Sequence, residues 1–274
     1  MKFFFVAFVF WLPALILAAD HIFAPESEWE VVSSGHQFAE GMAWDREGHF
    51  YFTDVPRQLL FKIDKHSGIK TLIDGKTGRA NGIAFGPDGK LYGCSSEDDG
   101  INVWNPNTWE KETLGKGTRS NDIAILDDGT IFFTDPGNES VWRIDAKSKK
   151  RTLAVGLDWK PNGIGLSLDQ RILLVAEFDS GTVHGFAVSN DGRISGQSRP
   201  AYKLGVPSDG LGRLDGLQVL RDGRVLIGTA LGLQVAPPVG EESANRSLIV
   251  VPSSGGRPRC NYARISPDNQ WIYT

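Results

Sequence analysis

Glu40-Gly41-Met42-Ala43-Trp44 is the first of six related stretches in this chain. Each copy starts with a residue that carries a side-chain oxygen, and a short, mostly apolar run follows. The other copies start at Asn81, Asn121, Asn162, Asp215 and Asn261. Successive starts are 41, 40, 41, 53 and 46 residues apart. A repeat of about 40–45 residues is typical of architectures built from one recurring unit of strands.

A second landmark lies eight residues after each start. Those positions hold Gly48, Gly89, Gly129, Gln170, Gly223 and Asn269. Glycine and asparagine tolerate the positive φ that tight hairpin turns require. An acidic residue precedes each position, and such residues support turns through side-chain to backbone hydrogen bonds. We therefore expect a β-hairpin turn at the same phase of every repeat.

Four strands can be read in the best-defined repeats, and four strands at this period predict a β-propeller. The six starts predict an all-β, six-bladed β-propeller domain over residues 20–274, with an incomplete last blade. A β-helix would have a much shorter repeat, and a sandwich would not keep one phase throughout. The sixth repeat reaches Thr274 after its second strand. We expect Trp29–Val32 to add an outer strand to it, and the functional protein to extend beyond Thr274.

The N-terminus is typical of a secretory signal peptide over residues 1–19. Lys2 precedes an apolar stretch over residues 3–17, and Ala18-Ala19 provides the small residues of a cleavage site. The stretch is shorter than the roughly 20 residues that span a bilayer. We expect a secreted or periplasmic protein with no membrane contact after cleavage. An uncleaved anchor is the alternative.

The composition excludes several classes of protein. The 274 residues are 41% apolar and 23% charged, which excludes intrinsic disorder. A net charge of −4 argues against nucleic acid as a partner. The two cysteines, Cys94 and Cys260, lie in no Cys-x-x-Cys motif, which excludes a thiolate zinc site.

The six starting residues are expected to meet in space. The first strand of each propeller repeat lines the central channel, so residues at one phase reach the same mouth. We call Glu40, Asn81, Asn121, Asn162, Asp215 and Asn261 the channel-mouth ring. Carboxylate and amide oxygens are the ligands that Ca²⁺, Mg²⁺ and Mn²⁺ prefer. The ring predicts a divalent-cation site, and capping of exposed backbone by these side chains is the alternative.

Four short motifs follow the blade spacing. They are Glu40-Gly41-x-x-Trp44, Arg119-Ser120-Asn121-Asp122, Pro161-Asn162-Gly163-Ile164 and Asp215-Gly216-Leu217. Together with the strand ends Phe133-Thr134-Asp135-Pro136 and Ile272-Tyr273-Thr274, they resemble the SMP-30/gluconolactonase/regucalcin-like family of six-bladed propellers. The resemblance covers nearly all of the chain after the signal peptide. It implies an enzyme that uses a divalent metal to hydrolyse a small-molecule lactone or a related ester.

The resemblance also implies roles for individual residues. Glu40, Asn162 and Asp215 would hold one divalent cation, with Ca²⁺ favoured over Mg²⁺, Mn²⁺ and Zn²⁺. Asp215 would also act as the catalytic acid and base. Arg119 and Asn121 would bind the sugar lactone.

Other residues and other functions remain open on the sequence. Asn81 either binds substrate or caps its own turn. Asp209 competes with Asp215 as a metal ligand, but only Asp215 keeps the eight-residue spacing to Gly223. No histidine shares the phase of the ring, so the sequence gives little support to a Ser–His–Asp hydrolase. The five histidines are His21, His36, His49, His66 and His184.

Two alternatives to a lactonase remain. A non-catalytic propeller could bind a protein or a glycan through its top face, but it would not need converging carboxylates. An esterase acting on non-sugar substrates would use the same site as the lactonase. Asp54 and Asp135, at the ends of second strands on the face of the ring, are expected to cap those strands.

Overall fold

The computed structural model describes residues 22, 28–240, 248–250 and 259–274. The signal peptide predicted at residues 1–19 lies outside the described residues. Contacts divide the chain into Met1–Glu30 and Val31–Thr274. In the first unit, the described residues 28–30 form neither strand nor helix. Within the described ranges, no helix combines the length and apolar character that crossing a membrane requires.

Five four-stranded antiparallel sheets account for most of the second unit. Blade 1 contains β1 (Ala39–Trp44), β2 (Phe50–Asp54), β3 (Leu59–Ile63) and β4 (Lys70–Asp74). Blade 2 contains β5 (Ala80–Phe85), β6 (Leu91–Ser95), β7 (Gly100–Trp104) and β8 (Lys111–Leu114). Blade 3 contains β9 (Ile123–Ile125), β10 (Ile131–Asp135), β11 (Ser140–Ile144) and β12 (Arg151–Gly156).

Blades 4 and 5 follow the same order of strands. Blade 4 contains β13 (Pro161–Leu166), β14 (Ile172–Glu177), β15 (Thr182–Val188) and β16 (Ile194–Lys203). Blade 5 contains β17 (Leu217–Val219), β18 (Val225–Thr229), β19 (Gly232–Ala236) and β20 (Leu248–Val250). The ten-residue β16 lengthens the fourth repeat. This strand and the eleven residues that separate it from Asp215 together account for the 53-residue spacing between Asn162 and Asp215.

The all-β propeller is confirmed, but the prediction of six blades is wrong for the described residues, which form five. The sixth repeat contributes only a two-stranded sheet of β21 (Arg264–Ile265) and β22 (Ile272–Tyr273). In the five blades, the third and fourth strands follow the second along the chain. The sequence ends one residue after β22. The expected outer strand at Trp29–Val32 is also wrong, because these residues are described and lie in no strand.

The predicted turns are confirmed at all six positions. Gly48, Gly89, Gly129, Gln170, Gly223 and Asn269 all have positive φ, between 58° and 88°. In five repeats the acidic residue before the turn accepts a hydrogen bond from the backbone two residues later, as Asp128 does from the N–H of Thr130 at 2.7 Å. The first repeat differs, since Asp45 instead accepts from the N–H groups of Glu47 and His49.

The apolar core lies between neighbouring blades rather than at one centre. Leu174 and Val183 of blade 4, for example, pack with Leu217 and Val225 of blade 5, and all four side chains are buried. Each fully buried aliphatic side chain of this kind contributes roughly 1.5–3 kcal/mol relative to exposure. The core therefore fixes each inner strand against the next, and this fixes the positions of the channel-mouth ring.

Candidate active site at the channel mouth

A β-bulge follows the ring residue in several inner strands. In blade 1, Glu40 pairs with Thr53 and Met42 pairs with Phe52, so Gly41 is the extra residue. Register shifts occur at the same place in β5 and β13. Blade 5 has the equivalent bonds, since Asp215 N–H donates to Gly228 O at 2.8 Å and Gly228 N–H donates to Gly216 O at 3.0 Å. Bulges of this kind re-aim side chains where a ladder ends.

The glycine after the ring residue allows the next inner strand to approach closely. A Cβ atom on Gly41 would lie 1.8 Å from the carbonyl oxygen of Asn81. A Cβ atom on Gly163 would lie 2.1 Å from the carbonyl oxygen of Asp215. No side chain fits at these distances, so the polar–glycine pairs of the repeats reflect contacts between neighbouring blades. Successive ring residues are therefore neighbours around the channel.

Glu40, Asn162 and Asp215 come together, although they belong to three different blades. Their exposed fractions are 3%, 7% and 4%. The Glu40 carboxyl group hydrogen-bonds to the Asp215 carboxylate, and the Asn162 side chain donates to the same carboxylate. Two buried carboxyl groups in contact must either share a proton or neutralise a cation.

Burial dominates the titration of this pair. Desolvation raises the pKa of Asp215 to about 6, and the Arg259 guanidinium opposes that rise. Desolvation also raises the pKa of Glu40 well above its ordinary value, with further contributions from the charges of Asp215 and Asp122. Without a cation, Glu40 therefore holds the shared proton.

The sequence interpretation missed Arg259. Its Nη2 atom donates to Oδ2 of Asp215 at 3.2 Å, and 42% of its side chain is exposed. Arg259 lies two residues before Asn261 of the sixth repeat. Basic residues stand at the same position in the second to fifth repeats, as Arg79, Arg119, Lys160 and Arg213. The repeat pattern therefore did contain a signal for Arg259.

Four amide oxygens of the ring are buried and have no hydrogen-bond partner. They are the Oδ1 atoms of Asn81, Asn121, Asn162 and Asn261. An unpartnered buried oxygen costs free energy unless a ligand binds it. The Asn162 amide is the best-oriented example, because its nitrogen donates to Asp215 while its oxygen has no hydrogen-bond partner.

This donor set fits a hard divalent cation. Among the described residues, no group of three or more His, Cys, Asp or Glu side chains could hold a metal. The ring instead offers two carboxyl groups and amide oxygens, which suit Ca²⁺ or Mg²⁺ better than zinc. Glu40, Asp215 and Asn162 are the residues in mutual contact, so they fit the predicted ligand set.

The remaining predicted residues lie at or near the mouth. Asn81 and Asn121 belong to the ring, and the Gly82 N–H donates to the carbonyl oxygen of Asn121 at 2.9 Å. Arg119 is exposed, and its backbone N–H donates to Asp135 at 3.3 Å. Asp209 is exposed and pairs with Arg213 at 3.3 Å, so it stands apart from the Glu40–Asp215 pair.

The sequence interpretation also missed a buried polar cluster among the inner strands. Asp122 is 2% exposed and accepts hydrogen bonds from the N–H groups of Ile123 and Ile164. The Tyr262 hydroxyl donates to Asp122 at 3.2 Å, and Arg264 donates to the Tyr262 oxygen at 2.7 Å. Asp122 and Tyr262 occupy the positions that hold glycine in the other four repeats. That departure from the repeat was the available signal.

A family model confirms the resemblance drawn from the motifs. The model described as the SMP-30/Gluconolactonase/LRE-like region matches residues 38–244. The chain belongs to this family. The match includes Glu40, Asn81, Arg119, Asn121, Asn162 and Asp215.

Relatives of this SMP-30/gluconolactonase family member include named lactonases. A gluconolactonase from Zymomonas mobilis is 25% identical over 281 residues, which cover 88% of this chain and 77% of the relative. Lactonase drp35 from Staphylococcus epidermidis is 25% identical over 179 residues, covering 60% of this chain but only 55% of the relative.

Solved structures share the fold of this family member. A gluconolactonase from Xanthomonas campestris has a TM-score of 0.74 at 21% identity, covering 88% of this chain and 84% of that one. A calcium-binding regucalcin from Agrobacterium tumefaciens has a TM-score of 0.71 at 17% identity, covering 87% and 82%.

Proposed function

We propose that this protein hydrolyses a small-molecule lactone, or a related ester, in a reaction that depends on a divalent cation. The observation that carries the proposal is the contact among Glu40, Asn162 and Asp215, beside unpartnered amide oxygens. The names of two relatives, a gluconolactonase and a lactonase, support the reaction class. A sugar lactone is the proposed substrate.

Glu40, Asn162 and Asp215 would hold the cation, with Ca²⁺ as the first choice. A divalent cation at this position supplies a Lewis acid that polarises a carbonyl group and acidifies water. The ligands offer two negative charges once the shared proton leaves. Cation binding therefore replaces that proton, and the unpartnered oxygen of Asn162 gains a partner.

Asp215 is the proposed acid and base. Its carboxylate is buried at the mouth and held by Arg259, which places it to accept a proton from the attacking water. The same carboxyl group then returns the proton to the ring oxygen that leaves the carbonyl carbon. Arg259 fixes one carboxylate oxygen through its contact with Oδ2 and so limits rotation of the group.

Substrate recognition is assigned to the rest of the mouth. The unpartnered oxygens of Asn81 and Asn121 can accept hydrogen bonds from substrate hydroxyl groups. The exposed guanidinium of Arg119 offers donors to the substrate oxygens. A polyhydroxylated lactone matches this set of acceptors and donors.

A screen of aldonolactones with and without chelator, following acid release, tests the proposal. We expect hydrolysis that chelator removes and added Ca²⁺ restores. Asp215→Ala should abolish it, while Asp209→Ala is the matched control and should retain it. Hydrolysis indifferent to chelator and to Asp215→Ala would contradict the proposal. Binding of a glycan without turnover of any lactone or ester would favour the non-catalytic propeller.

Export of the protein is also proposed. The signal peptide over residues 1–19 would direct the chain to the periplasm or the medium, and cleavage would leave Asp20 as the first residue. N-terminal sequencing of the native protein tests this, and an intact Met1 would contradict it.

A further inference from the structure

A serine, a histidine and an aspartate are linked beside blade 1. Ser33 Oγ lies 2.7 Å from His36 Nε2. His36 Nδ1 lies 3.5 Å from Oδ2 of Asp54. This is the order of contacts in serine hydrolases, where the base contacts the nucleophile through Nε2 and the orienting carboxylate through Nδ1. None of the three residues belongs to the channel-mouth ring.

Asp54 is rigidly held in an orienting position. Its side chain is fully buried, and it accepts hydrogen bonds from the N–H groups of Gln37 and Phe38 at 3.1 and 3.2 Å. Asp135 ends the second strand of blade 3 in the same way, but it contacts Asn138 and the backbone of Arg119 instead. Capping of the strand end therefore does not require a histidine. The link to His36 is peculiar to blade 1.

The His36 ring is fixed and suited to act as a base. It stands edge-on to Phe52 and Phe61, with centroid distances of 5.0 and 5.4 Å. Burial lowers the pKa of His36, and the charge of Lys70 lowers it further. Because Asp54 can only accept, the neutral ring carries its proton on Nδ1. Nε2 is then free to take the proton of Ser33.

Lys70 completes the surroundings of the hydroxyl group. Its Nζ atom donates to Ser33 Oγ at 2.9 Å, and this positive charge stabilises a developing alkoxide. Ser33 is partly exposed, so a reagent can reach it. Val32 and Ile69, the neighbours of Ser33 and Lys70 in sequence, are 54% and 63% exposed. These apolar side chains favour an ester with an apolar acyl group.

We propose that Ser33 is an activated nucleophile, with His36 as its base and Asp54 as the orienting carboxylate, at a second centre that needs no cation. Ser33 Oγ forms a bond to the carbonyl carbon of an ester while its proton passes to His36 Nε2. The bond from that carbon to the alkoxy oxygen breaks, and the leaving alcohol takes the proton. Water then hydrolyses the acyl-serine, and the hydroxyl group of Ser33 is restored.

Labelling with a fluorophosphonate in the presence of chelator tests the proposal. The reagent bonds its phosphorus to Ser33 Oγ, and fluoride and the serine proton leave. We expect the label on a peptide containing Ser33 in the folded protein and none after denaturation in urea. Ser33→Ala should abolish labelling, and His36→Gln should slow it at least about tenfold. Ser34→Ala is the matched control in the same loop and should label normally.

A second readout separates this centre from the proposed lactonase. Ser33→Ala should lose hydrolysis of p-nitrophenyl butyrate in chelator but keep the cation-dependent release of acid from lactones. No label on Ser33, or an equal rate in His36→Gln, would overturn the proposal. Asp215→Ala should label as the unaltered protein does, so failure of either proposal is recognised independently of the other.

Discussion

The Tyr262 hydroxyl group donates a hydrogen bond to Oδ1 of Asp122 at 3.2 Å, although 140 residues separate the two along the chain. The bond joins the sixth repeat to the third across the central channel. Arg264 donates to the same tyrosine oxygen and to the carbonyl oxygen of Met42. This buried network therefore holds the short sixth repeat against the complete blades and closes the ring.

Tyr262→Phe should lower the free energy of unfolding by about 1–3 kcal/mol, because Arg264 loses an acceptor and Asp122 loses a donor. Urea unfolding of the two proteins measures the difference. Tyr92→Phe is the comparison, because the Tyr92 hydroxyl group donates to the exposed turn residue Asp88 at 2.9 Å, and it should cost less stability. Equal stability of Tyr262→Phe and the unaltered protein would show that the network does not stabilise the sixth repeat.

Asp122 should make stability depend on pH. Burial raises its pKa in the folded protein to about 6, from an ordinary value of 3.8. Protonated Asp122 therefore stabilises the folded protein fully below 3.8, the ordinary pKa that applies in the unfolded chain. This stabilisation is lost as the pH rises through about 6. The loss from this group is at most about 3 kcal/mol.

Asp122→Asn removes that titration. The slope of unfolding free energy against pH, measured in chelator between about pH 4 and pH 7, should therefore be less negative in the variant. Asp128→Asn, at an exposed turn, is the control and should keep the slope of the unaltered protein. Parallel slopes for all three proteins would show that Asp122 titrates normally.

Asp215→Asn and Asp215→Ala should separate the two roles assigned to this residue. Asparagine keeps an oxygen but removes the charge and the base, so cation binding weakens. The rate should stay roughly 10²–10⁴ lower even at saturating cation. Lactone turnover against cation concentration measures both effects. If Asp215→Asn recovers the full rate of lactone turnover in excess cation, Asp215 is a cation ligand and not the catalytic base.

Arg259→Gln should tighten cation binding at least about threefold above pH 7, because a positive charge leaves the neighbourhood of the ligands. Calorimetric titration with Ca²⁺ measures the change. Arg213→Gln, which breaks the exposed pair with Asp209, is the matched control and should bind as the unaltered protein does. Weaker binding by Arg259→Gln would show that its positioning of Asp215 outweighs its charge.

Gly163→Ala should destabilise the protein by about 2 kcal/mol or more, since the new Cβ atom would lie 2.1 Å from the carbonyl oxygen of Asp215. Gly156→Ala is the control, because a Cβ atom at position 156 would meet no atom of a non-adjacent residue within 4 Å. Thermal and urea unfolding of both variants compare them. A tolerated alanine at position 163 would mean that neighbouring inner strands can separate.

The sequence by itself determined the repeat, the turns and the identity of the ring. Hairpin turns depend on local preferences for φ, so Gly48 and Asn269 could be assigned from neighbouring residues alone. The alternation of strands with these turns fixed where each repeat begins. Glu40, Asn162 and Asp215 stand at the same position of their repeats, which predicted that they meet at one mouth of the channel. Their contact follows from the symmetry of a propeller, which the spacing already contained.

Only the tertiary structure decided which individual side chains from distant parts of the chain make contact. Arg259 reaches Asp215 across 44 residues, and Tyr262 reaches Asp122 from another blade. The link from His36 to Asp54 depends on how residues 33–38 lie against blade 1. The count of five complete blades likewise depends on which segments find a strand partner. Such contacts arise from the packing of distant segments, and local periodicity carries no information about them.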